Sequence, residues 1–262
     1  MIKVLICGIK GRMGSCTAKA VEQAPDMELV GGVDRIATQK ELLEMDGAQV
    51  PVYAALEEAI DILQPQVMVD FTHPSAVAGN LRIALPKGID CVVGTTGLSP
   101  ADQAALASII PAGTGLFIAP NFTTGAVLMM KFAQMAAKYF PDAEVLEFHH
   151  CHKADSPSGT AVRTARMIAA AQEVAHEAPG SETELPGMEG ARGALVDGVP
   201  VHSIRTNGHV AHQEVIFGSK GQTLTIRHDS IDRESYMPGV LLAIRKVGGI
   251  QGLVVGLENL MD

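Results

Sequence analysis

VLICGIKGRMG, from Val4 to Gly14, decides how the rest of the chain is read. Val4, Leu5, Ile6 and Cys7 form a short continuous apolar run, the pattern of a strand buried on both faces. Gly8-Ile9-Lys10-Gly11-Arg12-Met13-Gly14 follows at once, and Met13, Thr17, Ala20, Val21 and Ala24 then recur at helical spacing. Strand, glycine turn and helix make the first half of a βαβ unit. The next strand, Glu28 to Val33, ends at Asp34, twenty residues after Gly14, where dinucleotide folds place a ribose-binding acid. Gly8, Ile9, Lys10, Gly11, Arg12, Met13, Asp34 and Arg35 are therefore expected to hold a nicotinamide dinucleotide. The spacing is GxxGxxG rather than GxGxxG, and such turns also arise from packing alone. The acid after the second strand favours the nucleotide reading.

The alternation continues. Strands are expected at Val67 to Phe71, Ile89 to Val93 and Gly115 to Ala119, with helices from Ser75 to about Leu85 and from Pro100 to Ile110. Each strand closes in a small or polar loop at what should be the carboxyl edge of a parallel sheet, where ligands of open α/β sheets bind. Two of these three loops are expected to line the cofactor, the candidates being Phe71, Gly94, Thr95, Thr96, Ala119, Pro120, Asn121 and Phe122. Thr72 and Thr95 would serve equally as helix caps, and Asn121 as a turn residue.

EVLEFHHCHKADSPSGTA, from Glu144 to Ala161, carries the chemistry. Val145, Leu146 and Phe148 read as a strand, which Pro157-Ser158-Gly159 breaks. Val162, Ala165, Ile168 and Ala169 then mark a helix to about Gln172. Ser158, Gly159 and Thr160 thus stand at a helix N-terminus, where free N–H groups and the dipole attract a carboxylate or phosphate. With His149, His150 and Lys153 just ahead, the segment points to acid–base chemistry on an anionic small molecule. A zinc site is the alternative, since imidazole and thiolate are zinc ligands. Adjacent residues of a strand point to opposite faces, however, and no second ligand cluster or CxxC accompanies them, so no metal is expected. Cys151 and His152 read as incidental.

Downstream, a Met- and Ala-rich helix is expected from Thr124 to Tyr139, and a Gly-, Pro- and Glu-rich loop from Glu177 to Pro200. That loop contains Leu185-Pro186-Gly187 and Ala191-Arg192-Gly193; such segments are often lids or oligomer contacts. Val201 to Arg205, Gln213 to Phe217 and Gln222 to Arg227 read as strands that join the Glu144 strand in a separate mixed sheet. A helix from Tyr236 to Val247 and a strand at Gly252 to Leu257 follow. The fold class is α/β: a Rossmann-type parallel sheet domain plus an α+β domain with a mixed sheet. Hydrophobic residues at 47% and charged residues at 19% exclude a disordered chain. A net charge of -9 with no basic run argues against nucleic-acid binding. Cys7, Cys16, Cys91 and Cys151 form no short-spaced pair, as expected of free thiols in a cytoplasm. Neither a signal peptide nor a membrane span is expected.

The chain resembles the 4-hydroxy-tetrahydrodipicolinate (dihydrodipicolinate) reductases of lysine and diaminopimelate biosynthesis, essentially over its whole length. The resemblance rests on GxxGRMG at Gly8 to Gly14, DFTHP at Asp70 to Pro74, GTTG at Gly94 to Gly97, and APNF at Ala119 to Phe122. HHxxKxDxPSGTA, from His149 to Ala161, is the most specific of the motifs, and HQEVIFG…LTIRHDSIDR…PGVLLA, from His212 to Ala243, adds to them. It implies reduction, with loss of water, of a cyclic dicarboxylate carrying an imine and a hydroxyl. It makes His149 a proton donor or acceptor, Lys153 a proton donor, and His150, Ser158, Gly159 and Thr160 substrate-binding residues; the alternative for Lys153 is a salt bridge to nearby Asp155. It implies a dinucleotide domain at 1–123 and 233–262, with a substrate-binding and tetramerisation domain at 124–232 inserted between. Closure would bring the nicotinamide onto the substrate. Many relatives carry Arg-x-Gly where this chain has Arg205-Thr206-Asn207-Gly208, so Arg205 is not carried over as a substrate contact. A non-catalytic nucleotide sensor would need no His-His-x-x-Lys constellation, and a dehydrogenase of aldehydes or hydroxy acids would lack the dicarboxylate cradle.

Charge also bears on the cofactor. Asp34 favours an unmodified ribose diol, whereas Lys10, Arg12 and Arg35 compensate a 2′-phosphate. Both NADH and NADPH are expected to serve. The kcat/KM ratio for the two is the check: a preference beyond about a thousandfold, roughly 4 kcal/mol, contradicts dual use.

Overall fold

The computed structural model describes residues 1–37, 41–45, 47–172 and 190–261. In chain order the elements are β1 (Ile2–Cys7), α1 (Arg12–Gln23), β2 (Met27–Val33), β3 (Glu41–Met45), β4 (Ala48–Tyr53), α2 (Leu56–Leu63) and β5 (Val67–Asp70). Then come α3 (Pro74–Ala84), β6 (Asp90–Val93), α4 (Pro100–Ala107), β7 (Gly115–Ile118), α5 (Thr124–Ala136), β8 (Asp142–His149) and α6 (Gly159–Ala171). Last are β9 (Ala194–Val196), β10 (Val199–Arg205), β11 (Ala211–Ser219), β12 (Gln222–Ser230), α7 (Met237–Val247) and β13 (Gly252–Val255). They divide into two compact units, Met1–Thr124 with Tyr236–Asp262, and Gly125–Ser235.

The first unit is a sheet ordered β13-β7-β6-β5-β1-β2-β4-β3. Neighbours run parallel except β3 and β4, which form a hairpin at one edge. Central β1 lies between β2 and β5, and its Val4, Leu5, Ile6 and Cys7 are completely buried, as the apolar run requires. Proline and capping chemistry set the helix starts. Pro74 and Pro100 open α3 and α4, where a missing N–H costs nothing. Ser99 and Asp102 form a capping box on α4, and His73 caps α3 by accepting from the Ser75 N–H. The glycine turn is dictated by close approach. A Cβ on Gly14 would lie 2.0 Å from the Gly8 carbonyl oxygen, so α1 can leave the turn only through a glycine.

The hairpin β3–β4 and helix α2 were not anticipated. Glu41, Glu44, Gln49 and Pro51 interrupt any clean alternation there, and the pairing with β2 that makes β4 a strand is remote in sequence. The expected helix to Tyr139 ends as α5 at Ala136. The expected Gly-rich loop contains the short strand β9, paired antiparallel to β10; Leu185-Pro186-Gly187 lies outside the described residues.

The second unit is a five-stranded sheet, β12-β11-β8-β10-β9. It is mixed: β8 and β10 run parallel, and the other neighbours antiparallel. Its core joins Val145 of β8, Val201 of β10, and Val215 and Phe217 of β11 to Ala161, Ala165 and Ile168 of α6 and to Ala133 and Ala137. Packing α6 against β8 and β10 places the Ser158 turn beside the C-terminal end of β8. No helix among the described residues is long and apolar enough to cross a membrane.

Gly14→Ala is expected to lose about 3 kcal/mol, the upper part of the range for overpacking, because backbone cannot yield as a side chain does. Urea unfolding measures it, and a loss under about 0.5 kcal/mol, the scale of a neutral surface change, would contradict the close-approach account.

Candidate active site

Two constellations stand out, one in each unit. In the first unit, Gly8, Lys10, Gly11, Asp34, Arg35 and Phe71 line one cavity of about 570 Å³. Gly8 takes a positive φ of 81°, and a Cβ there would meet the Phe71 carbonyl oxygen at 2.6 Å. α1 begins on Gly11, a cap without a side chain, so its first N–H groups meet no capping oxygen from that residue. The Asp34 carboxylate accepts from the Lys10 N–H at 3.0 Å and the Ile36 N–H at 3.2 Å, which fixes its orientation at the cavity wall. A cavity of this size, with a glycine turn at a helix start and an oriented acid after β2, fits a dinucleotide. The Lys10 ammonium forms an ion pair with Glu41, which tempers its charge toward a 2′-phosphate.

The remaining expected cofactor residues are placed differently. Ile9 is completely buried and packs beneath Gly32, leaving only its backbone to face a ligand. Arg12 is exposed and Met13 half-buried at the start of α1. Asp70, at the end of β5, is buried and accepts from the Thr72 N–H (3.0 Å) and from the Thr72 Oγ1, Thr95 Oγ1 and Asn80 Nδ2 (2.7 Å each). The Thr95 hydroxyl is thus engaged inside the protein, while Thr96 is exposed beside it. Phe122 is buried edge-on against Phe71 and Phe117. Asn121 Oδ1 accepts from the Thr123 N–H at 2.8 Å, in a turn that begins beside exposed Pro120 and buried Ala119. Gly94 must stay bare because the Phe71 ring fills the space of its Cβ. Sequence reasoning missed Asp70, Asn80 and the Ala54–Glu57 wall of the cavity; an acid buried at a strand end was the available signal for Asp70.

In the second unit, β8 ends on His149, and His150 lies beyond it, exposed. His149 Nδ1 hydrogen-bonds to Glu147 Oε2. Glu147 has no exposed surface. It accepts from Arg205 Nη1 at 2.8 Å and Nη2 at 2.6 Å, and from the Ser158 N–H at 3.2 Å. Burial pushes its pKa up, but the hydrogen bonds from His149, Arg205 and Ser203, with the His149 charge, outweigh this and bring it down to about 2. Arg205 is therefore a buttress for Glu147, and one of its Nη2 bonds also reaches the Asp155 carbonyl at 2.9 Å. Lys153 Nζ donates to Asp155 Oδ1 at 2.6 Å. The Ser158 hydroxyl caps α6 by accepting from the Ala161 N–H, so both polar groups of Ser158 make contacts within the protein. Gly159 is exposed and Thr160 half-buried on the first turn of α6. Glu147 escaped sequence reasoning because its partner Arg205 is 58 residues away.

Fold and site define a nicotinamide-dependent oxidoreductase with a Rossmann-type sheet and a second, mixed-sheet unit. Family models described as the N-terminus and the C-terminus of dihydrodipicolinate reductase match residues 2–122 and 125–261. A 4-hydroxy-tetrahydrodipicolinate reductase of Listeria monocytogenes is 48% identical over 265 residues, covering 100% of both chains. One from Mycolicibacterium smegmatis is 46% identical, covering 100% of this chain and 99% of its own. A solved structure of dipicolinate-bound dihydrodipicolinate reductase from Paenisporosarcina sp. TG-14 superposes with a TM-score of 0.86 at 42% identity, covering 99% of each chain. The chain belongs to the 4-hydroxy-tetrahydrodipicolinate reductase family. It uses NADH or NADPH to reduce 4-hydroxy-2,3,4,5-tetrahydrodipicolinate to 2,3,4,5-tetrahydrodipicolinate with loss of water, in the diaminopimelate route to lysine.

Glu147 has a depressed pKa in the fold, so its stabilisation is complete above its unfolded value of 4.5 and is lost as pH falls toward about 2. In Glu147→Gln that component is absent. The stability difference between wild type and variant should hold steady above about pH 5 and shrink below it. Urea midpoints across that range test this, and a difference that does not change with pH would contradict it.

Proposed function

We propose that the segment from Glu147 to Thr160 is where the dicarboxylate is bound and protonated, and that the first unit holds the dinucleotide. The observation that carries this is the His149 imidazole held at Nδ1 by a buried, ionised carboxylate, four residues before Lys153 and close to the start of α6. A carboxylate on Nδ1 selects the tautomer with the proton on that nitrogen, so Nε2 is the atom left to exchange a proton with substrate. When bound, the reduced nicotinamide supplies hydride to a ring carbon conjugated with the imine. His149 then donates or accepts the proton at the neighbouring atom. Lys153 contributes positive charge toward the dianion and a second donatable proton. His150, on the exposed side of the turn, binds the substrate, with Ser158, Gly159 and Thr160 receiving a carboxylate at the helix start.

In the first unit, Gly8, Ile9, Lys10, Gly11, Arg12 and Met13 form the turn under the pyrophosphate, Asp34 and Arg35 face the adenosine ribose, and Phe71, Gly94, Thr95, Thr96, Ala119, Pro120, Asn121 and Phe122 belong to the loops around the nicotinamide. The likeness to a dipicolinate-bound relative supports a planar dicarboxylate as ligand. The protein works in the cytoplasm, which four free thiols favour, and without nucleic acid, which a net charge of -9 favours; it assembles as a homotetramer on the second unit.

The test couples the purified protein to an aldolase-type synthase that makes the substrate and follows loss of reduced nicotinamide. His149→Gln and Lys153→Ala should each lower kcat by about 10²–10⁴, the span of a positioned acid or base, and pyridine-2,6-dicarboxylate should inhibit the wild type. Wild-type turnover in purified His149→Gln would remove that residue from the mechanism.

A further inference from the structure

The Lys153–Asp155 pair sits inside the segment assigned to the substrate, and its arrangement copies what a substrate carboxylate would do there. One oxygen of Asp155 accepts from the Lys153 ammonium at 2.6 Å. Lys153 foremost, and the Gly159 N–H at the first turn of α6 to a lesser degree, hold the same carboxyl below its ordinary range. Those are two of the donors that the proposed function gives to an incoming carboxylate. The Asp155 backbone is itself anchored, because Arg205 Nη2 donates to its carbonyl oxygen at 2.9 Å while gripping buried Glu147. Its side chain, by contrast, is 55% exposed, so it can swing out at little cost.

We propose that Asp155 is an internal substitute for a substrate carboxylate, occupying Lys153 and the start of α6 in the free enzyme and leaving them when the dianion arrives. This rests on the proposed function of the segment. An ammonium and a helix start without any anion would leave the loop from His150 to Ser158 repelled and poorly ordered, and Asp155 compensates that charge. A ligand must then replace both contacts together. A carboxylate does so, and a neutral group does not, so Asp155 contributes to selection as well as to order.

The experiment is a double-mutant cycle on the full-length protein saturated with reduced nicotinamide, with pyridine-2,6-dicarboxylate titrated calorimetrically. Asp155→Asn removes the competing charge while keeping an acceptor for Gly159, and should tighten binding about two- to fivefold, the worth of a half-exposed ion pair. A merely structural role for Asp155 would weaken binding instead. In a Lys153→Met background the gain from Asp155→Asn should disappear. Asp155→Ala replaces Asp155→Asn if the latter fails to fold. Unchanged or weaker binding by the Asp155 variant overturns the proposal, and so does an equal gain with and without Lys153, which would mean diffuse repulsion only. If Lys153→Met alone binds as well as wild type, the assignment of Lys153 to the substrate falls first, and that outcome is distinct from the other two.

Discussion

Glu147 is an ionised carboxylate with no solvent to stabilise it, and much of the arrangement around His149 and Ser158 follows from that constraint. Burying such a charge costs several kcal/mol unless donors surround it. The donors come from three places: His149 on the same strand, Arg205 at the end of parallel β10, and the Ser158 N–H ahead of α6. Satisfying one acid therefore sets the register of two strands, the entry of one helix and the tautomer of one imidazole. The hydrogen bond from His149 and the bidentate grip of Arg205 together keep the acid charged.

The first unit uses the same device at the end of β5. Asp70 is equally buried, but its donors are neutral: two threonine hydroxyls, an asparagine amide and a backbone N–H. Through them it joins the loop after β5, the loop after β6 and the body of α3. Those are loops at the carboxyl edge of the sheet, where flexibility would blur a nucleotide site. The buried acid ties these loops together alongside the Phe71 ring, which packs over Gly94 and edge-on against Phe122. In each unit, a side chain expected to meet a ligand also contacts the scaffold: Thr95 through Asp70, and Ser158 through Glu147 and its cap.

The chemistry is correspondingly economical in charge. A doubly negative substrate needs cations, yet in this structure Lys153 faces Asp155 and Arg205 faces Glu147. Lys10 likewise faces Glu41. Each of these cations is thus held against an acid of the same unit. A pair with an exposed acid yields readily and one with a buried acid does not, which separates Lys153, paired with exposed Asp155, from Arg205, paired with buried Glu147.

Local spacing determined a good deal. The run Val4 to Gly14, the apolar strands that follow it and the segment His149 to Thr160 were legible because a buried strand, a tight glycine turn and a helix start each depend on residues a few positions apart. The mixed sheet was legible for the same reason. The tertiary structure alone decided which acids are buried and what they grip: Glu147 with Arg205 58 residues on, and Asp70 with Thr95 25 residues on. It also made strands of Glu41–Met45, Ala48–Tyr53 and Ala194–Val196, whose polar or very short sequences carry no pattern until a neighbouring strand offers its hydrogen bonds. Hydrogen-bond partners across such distances depend on the whole fold, and no local spacing encodes them.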